Sequence, residues 1–216
     1  MKVSTLAVLA LFAVGGSSAL AAVRYRHTSA GTTLARQVLL RRADLGSGWT
    51  VQAPAPKKPP TLSCGSFNPS LPAITQQGAG ATATFQQSSN GPFVGQNAYA
   101  YASPSQRQEV WHGVVRPELV RCVAESLVRG AGQGVSFKVT GKQPLPLPQL
   151  RVPARGYRVS GTANAPDQSV DVYLDMVVLG RGKLVTELSF SSFYQPAPRQ
   201  LELRLARRIV GRLSAQ

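Results

Sequence analysis

The sequence predicts an α+β fold, in which an antiparallel β-sheet packs with helices in a single domain. Two long segments, Gln168 to Leu179 and Lys183 to Phe193, alternate apolar and polar residues, which is typical of half-buried strands. Near the end of the chain, apolar residues recur every four positions from Leu201 to Leu213, as in an amphipathic helix. The 216 residues suffice for one core of ordinary size.

The first residues have the features of a secretory signal peptide. Lys2 precedes an apolar segment from Leu6 to Val14, and Ala19-Leu20-Ala21 fits the small-residue rule for cleavage. We therefore expect cleavage after Ala21 and export from the cytoplasm. An uncleaved membrane anchor is the less favoured alternative, because the apolar segment is short for a span. The predicted organisation is a signal peptide (1–21), a flexible N-terminal stretch (22–32) and the folded domain (33–216).

The folded domain is predicted to begin with a helix. The hydroxyl of Thr33 can cap this helix, which extends to Leu40 or Arg42. Glycines then end the helix, and Trp49 is expected to return to the core. The proline-rich segment Ala53 to Pro60 is predicted to be an exposed loop.

Cys64 and Cys122 are the only cysteines in the sequence. In an exported chain such a pair predicts one disulfide, which here connects the coil after Trp49 to a helix. The alternative is a catalytic cysteine in Cys64-Gly65-Ser66-Phe67. It is rejected because the papain-like signature needs a second cysteine followed by a tryptophan or tyrosine, and both are absent.

The middle of the chain predicts further strands and two helices. Ala79 to Gln87 and Phe93 to Ala102 form a strand pair, and Val135 to Val139 forms another strand. Between them, proline at the first helical position and the Arg116-Pro117 interruption predict helices from Pro104 to Val115 and from Pro117 to Arg129. The residues expected to point inward around Cys122 are Leu119, Val120, Val123 and Leu127. An exposed crossing then contains Pro144, Pro146 and Pro148.

The apolar residues of the central hairpin predict its register. With a three-residue turn at Gly180-Arg181-Gly182, Leu174 lies opposite Leu188 and Val172 opposite Phe190. A two-residue turn places Leu174 against a polar residue, so the longer turn is favoured. The predicted core layer contains Tyr157, Val159, Val172, Leu174, Met176, Leu188 and Phe190.

The same register predicts a polar cluster on the outer face of the hairpin. It places Asp175 opposite Glu187, with Asp171 two residues along. Paired carboxylates can bind a cation or share a proton. A four-residue turn into the preceding strand places Arg158 opposite Tyr173 and diagonal to both aspartates. We favour an ordinary ladder of cross-strand ion pairs, and the alternative is a site for a cation or a cationic ligand. The candidate site comprises Arg158, Asp171, Tyr173, Asp175 and Glu187.

The charge composition predicts the class of partner. There are 24 Lys and Arg against 9 Asp and Glu, a formal net charge of +15, although charged residues make up 15% of the chain. This shortage of acids without long basic runs favours diffuse attraction to anionic envelope polymers or lipid headgroups, and disfavours nucleic-acid binding.

Arg204, Arg208 and Arg212 form a row along the last helix. The helix either makes a peripheral contact with a membrane or polyanion, or docks on the domain with its arginine face in solvent. Docking is favoured because Leu203 and Val210 widen the apolar stripe.

The sequence contains no catalytic motif of the common hydrolase, nucleotide-binding or zinc-binding kinds. The two histidines, His27 and His112, are far apart in the chain. We therefore expect a non-enzymatic protein without a cofactor. A hydrolase based on Asp171, Asp175 and Glu187 is the weaker alternative.

The segment from Arg42 to Trp49, the cysteine pair and the final strand pair followed by an arginine-rich helix resemble a group of secreted actinobacterial envelope proteins. This group includes the extracellular sensor-type domains of some mycobacterial serine/threonine kinases and related small lipoproteins. The resemblance implies an antiparallel sheet packed with helices and a cleft for an envelope ligand. The chain departs from the group in having no kinase domain, no lipid-attachment cysteine and no second disulfide.

These observations together predict a secreted, envelope-associated domain that binds a small-molecule ligand or acts as a sensor. A structural or interaction protein of the cell envelope is the alternative. A deep pocket lined by aromatic residues such as Tyr99, Tyr101 or Tyr157 favours ligand binding, whereas a surface without pockets favours the structural role.

Overall fold

The computed structural model describes residues 17–18, 23–52, 61–62, 64, 67, 72–130 and 134–216. Most of the predicted signal peptide, the proline-rich segment 53–60 and residues 131–133 lie outside the described residues. Within the described ranges the chain forms four α-helices and a mixed, mostly antiparallel sheet of nine strands. This arrangement confirms the predicted α+β fold in a single domain.

The elements follow one another along the chain in this order. The strands are β1 Ser17–Ser18, β2 Val23–Tyr25, β3 Thr50–Gln52, β4 Thr61–Leu62, β5 Ile74–Ala81, β6 Thr84–Gln86, β7 Phe93–Tyr101, β8 Ser136–Pro144, β9 Ala154–Ala165, β10 Gln168–Arg181 and β11 Leu184–Phe193. The helices are α1 Ser29–Gln37, α2 Pro104–Val114, α3 Leu119–Gly130 and α4 Arg199–Ser214, with a 3₁₀ turn at Arg42–Asp44. The main sheet has the order β2-β5-β7-β11-β10-β9-β8, with β3 and β6 beside β7, while β1 and β4 pair separately.

The central strands β10 and β11 are covered on both faces. Residues 174–180 of β10 are all buried, so neither face of this strand meets solvent there. On one face, Leu174 and Met176 pack with α2 and α3 in what we call the first core. On the other, Val177 and Leu179 pack with α1 and α4 in the second core. The sheet is therefore the middle layer of three.

The observed turn of the central hairpin differs from the predicted one. Arg181 pairs with Leu184, so the turn consists of Gly182-Lys183 instead of three residues. Gly182 has a φ of 53°, which glycine adopts at low cost and which two-residue hairpins require. Leu174 consequently lies opposite Ser191, and the predicted register is wrong.

This register divides the predicted core layer between the two cores. The members found in the first core are Tyr157, Val159, Val172, Leu174 and Met176. Leu188 and Phe190 belong to the second core instead. The predicted register placed apolar residues of β10 opposite apolar residues of β11, on the assumption that only one face of the hairpin is buried. The observed register is shifted by three residues, and any odd shift turns Leu188 and Phe190 to the other face of the sheet. Because both faces are buried, this shift moves the two residues from one core to the other and exposes neither.

The first helix begins earlier than predicted. Thr28, and not Thr33, is the N-cap, and its hydroxyl accepts a hydrogen bond of 2.9 Å from the backbone N–H of Gly31. Strand β2 also lies within residues 22–32, so the folded part starts before residue 33. Trp49 is buried in the second core, as predicted.

The two helices that cover the first core confirm the sequence prediction. Ser103 caps α2 and Pro104 is its first residue. In α3, the four residues predicted to point inward are buried around Cys122, which is itself fully buried. None of the described helices combines the length and the apolar character needed to cross a bilayer.

Helix α4 docks on the second core through Leu201, Leu205, Ile209 and Leu213, as the favoured interpretation required. The arginine row of α4 was expected to face solvent, but two of its members, Arg208 and Arg212, contact Asp44. Arg212 Nη2 lies 2.7 Å from both carboxylate oxygens of Asp44, and Arg208 Nε lies 3.7 Å from one of them. The row therefore attaches α4 to the 3₁₀ turn.

Candidate functional site

The first candidate is the polar cluster that the sequence predicted, of which Arg158 and Asp175 form a bonded pair. Strands β9 and β10 place the two residues directly opposite each other, because the turn between these strands has two residues instead of the predicted four. Nε and Nη2 of Arg158 each donate a hydrogen bond to one carboxylate oxygen of Asp175, and both donor–acceptor distances are 2.6 Å. The Asp175 side chain is 1% exposed, so the prediction that it points outward is wrong.

The other three predicted residues do not join this pair. Glu187 lies opposite Val178, on the face of the sheet opposite to Asp175. Asp171 is exposed and accepts a 3.2 Å hydrogen bond from Thr162. Tyr173 lies opposite Ser160 and not opposite Arg158, although it is near enough to interact with the guanidinium electrostatically. The three carboxylates are thus separated, and the described residues contain no group of three potential metal ligands.

Helix α4 adds a buried carboxyl, Glu202, that the sequence analysis missed. Its Oε2 lies 2.6 Å from Arg199 Nη1, and its Oε1 lies 3.8 Å from Arg158 Nη2. Burial and the neighbouring Asp175 raise the pKa of Glu202 to about 8, while Arg199 acts in the opposite direction. Glu202 lies seven residues before Ile209, so a carboxyl on the apolar stripe of the helix was the available signal. We call Arg158, Asp175, Arg199 and Glu202 the ion-pair cluster.

We expect the stability of the protein to fall as the pH rises from about 4.5 to about 8. The pKa of Glu202 is about 8 in the folded protein against an ordinary value of 4.5. In this window the folded state keeps a proton that the unfolded chain releases, so stability decreases with rising pH. Glu187, whose pKa burial raises to about 7, acts in the same direction over the lower part of the window.

The contribution of Glu202 can be isolated above pH 7 by measuring urea denaturation midpoints at pH 7 and pH 8. Glu202→Gln should flatten the change between these two pH values, because its side chain does not titrate. Glu187→Gln should keep most of that change, because the pKa of Glu187 is about 7. Identical slopes in the wild type and in Glu202→Gln would contradict the assignment.

The second candidate is a groove of about 1180 Å³ between the α2–α3 junction and the end of β8. One wall consists of Trp111, Val115 and Val120, and the other is the segment 144–147. Strand β9 supplies the floor. The lining residues are Trp111, His112, Val115, Arg116, Pro117, Val120, Arg121, Lys142, Pro144, Leu145, Pro146, Leu147, Ala154, Arg155, Gly156 and Tyr157.

Tyr157 provides the polar atom of the groove floor. The residue is 5% exposed, and its hydroxyl is buried without a hydrogen-bond partner among the described residues. Burial raises the pKa of Tyr157 to about 12, while Arg155 lowers it and Glu118 raises it. Buried hydroxyls are usually hydrogen-bonded, so an unpaired hydroxyl on a residue that lines the groove is an exception to that rule. Tyr99 and Tyr101 do not line the groove and pack in or against the first core.

The groove is lined by cations and by no carboxylate. Arg116, Arg121, Lys142 and Arg155 are exposed residues that line it. They come from three separate segments, so their convergence is a tertiary property. The sequence showed the shortage of acids, but it gave no sign that these four cations share one groove.

The ion-pair cluster supports the wall of the groove. Arg199, which binds Glu202 through Nη1, donates from Nη2 to the backbone carbonyl of Pro146. Pro146 is part of the lining segment 144–147. The ion-pair cluster therefore holds the segment 144–147 in place behind the groove.

The predicted disulfide between Cys64 and Cys122 is present, with a Cα–Cα distance of 5.3 Å. It attaches the chain around Cys64 to α3, whose first turns contribute Val120 and Arg121 to the groove. The cysteines are both buried in the first core. A structural bridge is thus confirmed, and neither sulfur lines the groove.

No known protein family matches this chain, and no curated protein is detectably similar to it in sequence. Among solved structures, it is similar to the extracellular domain of PknH from Mycobacterium tuberculosis, at 12% identity and a TM-score of 0.35, over 65% of this chain and 66% of that one. It is also similar to LpqN, involved in cell envelope biogenesis of Mycobacterium tuberculosis, at 10% identity and a TM-score of 0.34, over 80% and 78%. This is a loose resemblance to proteins of the kind named from the sequence. The groove is therefore interpreted from its own residues.

Proposed function

We propose that this protein is a non-enzymatic, envelope-associated binding domain outside the cytoplasm, and that the groove is its ligand site. The observation that supports this most directly is the hydroxyl of Tyr157, which is buried without a partner among the described residues and belongs to a residue that lines a large groove. Leaving such a group unpaired costs about 1–3 kcal/mol, which a ligand with a suitable acceptor or donor recovers.

The chemistry of the lining supports binding over catalysis. It offers no carboxylate, thiol, serine or threonine, and its single histidine, His112, is an exposed residue. The lining therefore lacks the serine, threonine and cysteine nucleophiles and the carboxylate bases of the common hydrolases. Aromatic and aliphatic walls with a few polar groups are typical of ligand pockets.

The location outside the cytoplasm is supported by the disulfide and by the signal-like start of the sequence. The net charge of +15 provides a general attraction to anionic envelope surfaces. That attraction alone is expected to weaken strongly between low and physiological salt. Binding in a shaped groove is expected to persist at physiological salt and to saturate.

The test is native mass spectrometry of the protein purified from the envelope of its own host, in wild-type and groove-filled forms. Pro146→Trp places a large side chain at a lining position, whereas Pro148→Trp is a matched exposed control that does not line the groove. We expect a retained small molecule of defined mass in the wild type and in Pro148→Trp, and its loss in Pro146→Trp. An empty wild-type protein, or equal retention in both variants, would overturn the proposal.

A further inference from the structure

The groove combines two surfaces of different chemistry. Its walls are apolar, with Trp111, Val120 and Leu147 among the side chains that line them, and prolines beside them. Apolar surface of this kind gains free energy when it is covered, at about 25 cal/mol per Å². An inorganic anion or a free sugar covers little of it. The walls therefore favour a ligand with a hydrocarbon part.

The same groove presents Arg116, Arg121, Lys142 and Arg155 without a lining carboxylate. Glu118 is close enough to influence Tyr157 electrostatically, but it is exposed and does not line the groove. Like charges that converge on one site repel one another, and an anion bound between them relieves this repulsion. The lining cations therefore favour a ligand with a negative charge.

The buried carboxyl residues Asp44, Asp175 and Glu202 and the partly buried Glu187 do not line the groove and do not provide that charge. Asp175 is occupied by Arg158, and Asp44 by Arg212. Glu202 lies behind the groove wall with Arg199. The cations of the groove consequently remain available, and the Tyr157 hydroxyl can donate a hydrogen bond to a headgroup or linkage oxygen.

We infer that the ligand of the groove is an anionic amphiphile, a molecule with a hydrocarbon chain and a phosphate or carboxylate headgroup. This inference rests on the proposed binding function and specifies its ligand class. The hydrocarbon chain of the ligand lies along the walls formed by Trp111, Val120 and Leu147. The headgroup is held by the four lining cations, and Tyr157 donates to one of its oxygens. Free phosphate and a phosphorylated lipid carry the same anionic group, and the hydrocarbon chain of the lipid distinguishes them.

Three probes separate these contributions. Dodecyl phosphate carries both the chain and the anion, inorganic phosphate carries the anion alone, and dodecyl maltoside carries the chain alone. All three are titrated at physiological salt, the two dodecyl amphiphiles below their micelle concentrations, with binding followed by calorimetry and by tryptophan fluorescence. Trp111 lines the groove, whereas Trp49 lies in the second core. We expect saturable binding of dodecyl phosphate with a Kd at least about tenfold below that of either other probe.

Matched variants locate the binding. Tyr157→Phe removes one hydroxyl and should raise the Kd for dodecyl phosphate by about tenfold, as for a hydrogen bond to a charged group. Lys142→Gln should weaken binding of dodecyl phosphate and leave dodecyl maltoside unaffected. Lys138→Gln, on the same strand and also exposed but outside the groove, should change neither. Equal effects of the two lysine variants would place the binding elsewhere.

Each remaining outcome decides against a stated part of the inference. Equal affinity for dodecyl maltoside would overturn the requirement for charge, and equal affinity for inorganic phosphate would overturn the requirement for a chain. If no probe binds while the host-purified protein retains a different molecule, the ligand class is wrong and the binding function stands. If no probe binds and the host-purified protein is empty, both proposals fail.

Discussion

Removing the disulfide by the double substitution Cys64→Ser/Cys122→Ser is expected to lower the free energy of unfolding by about 4 kcal/mol. The bridge joins residues 58 positions apart, so without it the unfolded chain gains the conformational freedom of a long loop. For a protein of this size, the loss corresponds to a decrease in Tm of about 10 °C. The effect is large because both cysteines are also buried in the first core.

The measurement is urea denaturation of the wild type, with and without reductant, beside the double variant. Reduced wild type should match the variant, because both lack the same covalent link. Intact mass after alkylation without reductant should show no modified thiol in the exported protein. Two alkylated cysteines under these conditions, or an unchanged denaturation midpoint after reduction, would contradict the prediction.

Asp175→Asn is expected to cost about 3 kcal/mol, the lower end of the range for breaking a buried ion pair. Asp175 is 1% exposed, and its removal leaves the guanidinium of Arg158 without its bidentate partner. The Arg158 side chain is 20% exposed, so water offsets part of the loss. Asp175 is also one cause of the raised pKa of Glu202, so its substitution lets Glu202 ionise more readily beside Arg158 and offsets a further part of the loss.

Asp171→Asn is the matched control, because Asp171 lies on the same strand, four residues away, and is exposed. Its substitution is expected to change the free energy of unfolding by less than about 0.5 kcal/mol. Urea denaturation of both variants at pH 6 makes the comparison. Equal effects of the two substitutions would show that Arg158 and Asp175 behave as an ordinary surface pair, as the sequence had suggested.

Much of the fold follows from local features of the sequence. Ser103 and Pro104 predict the start of α2, and the spacing of apolar residues predicts the buried face of α4. These predictions succeeded because caps and helical faces depend on residues within a few positions of one another. The disulfide was predicted correctly for another reason, because two cysteines in an exported chain permit a single intramolecular bridge.

The candidate site was predicted far less well. The groove combines Trp111, Lys142 and Tyr157, which belong to three different elements. Tyr157 was recognised as a possible pocket residue, but the convergence of four cations around it depends on how α3, β8 and β9 pack. Glu202 was missed although a carboxyl on the apolar stripe of α4 is visible in the sequence, whereas its contact with Arg158, 44 positions away, depends on the tertiary structure.

The sequence by itself determined that this protein is an α+β domain, where its main helices and central strands lie, and which cysteines pair. The tertiary structure alone decided the hairpin register, the burial of Asp175 and the position of the groove. The physical reason lies in β10. Alternation reveals which residues share a face, but it does not reveal that α4 covers the second face. Once both faces are buried, the observed shift of three residues leaves Leu188 and Phe190 covered, and the two-residue turn at Gly182 becomes compatible with the core.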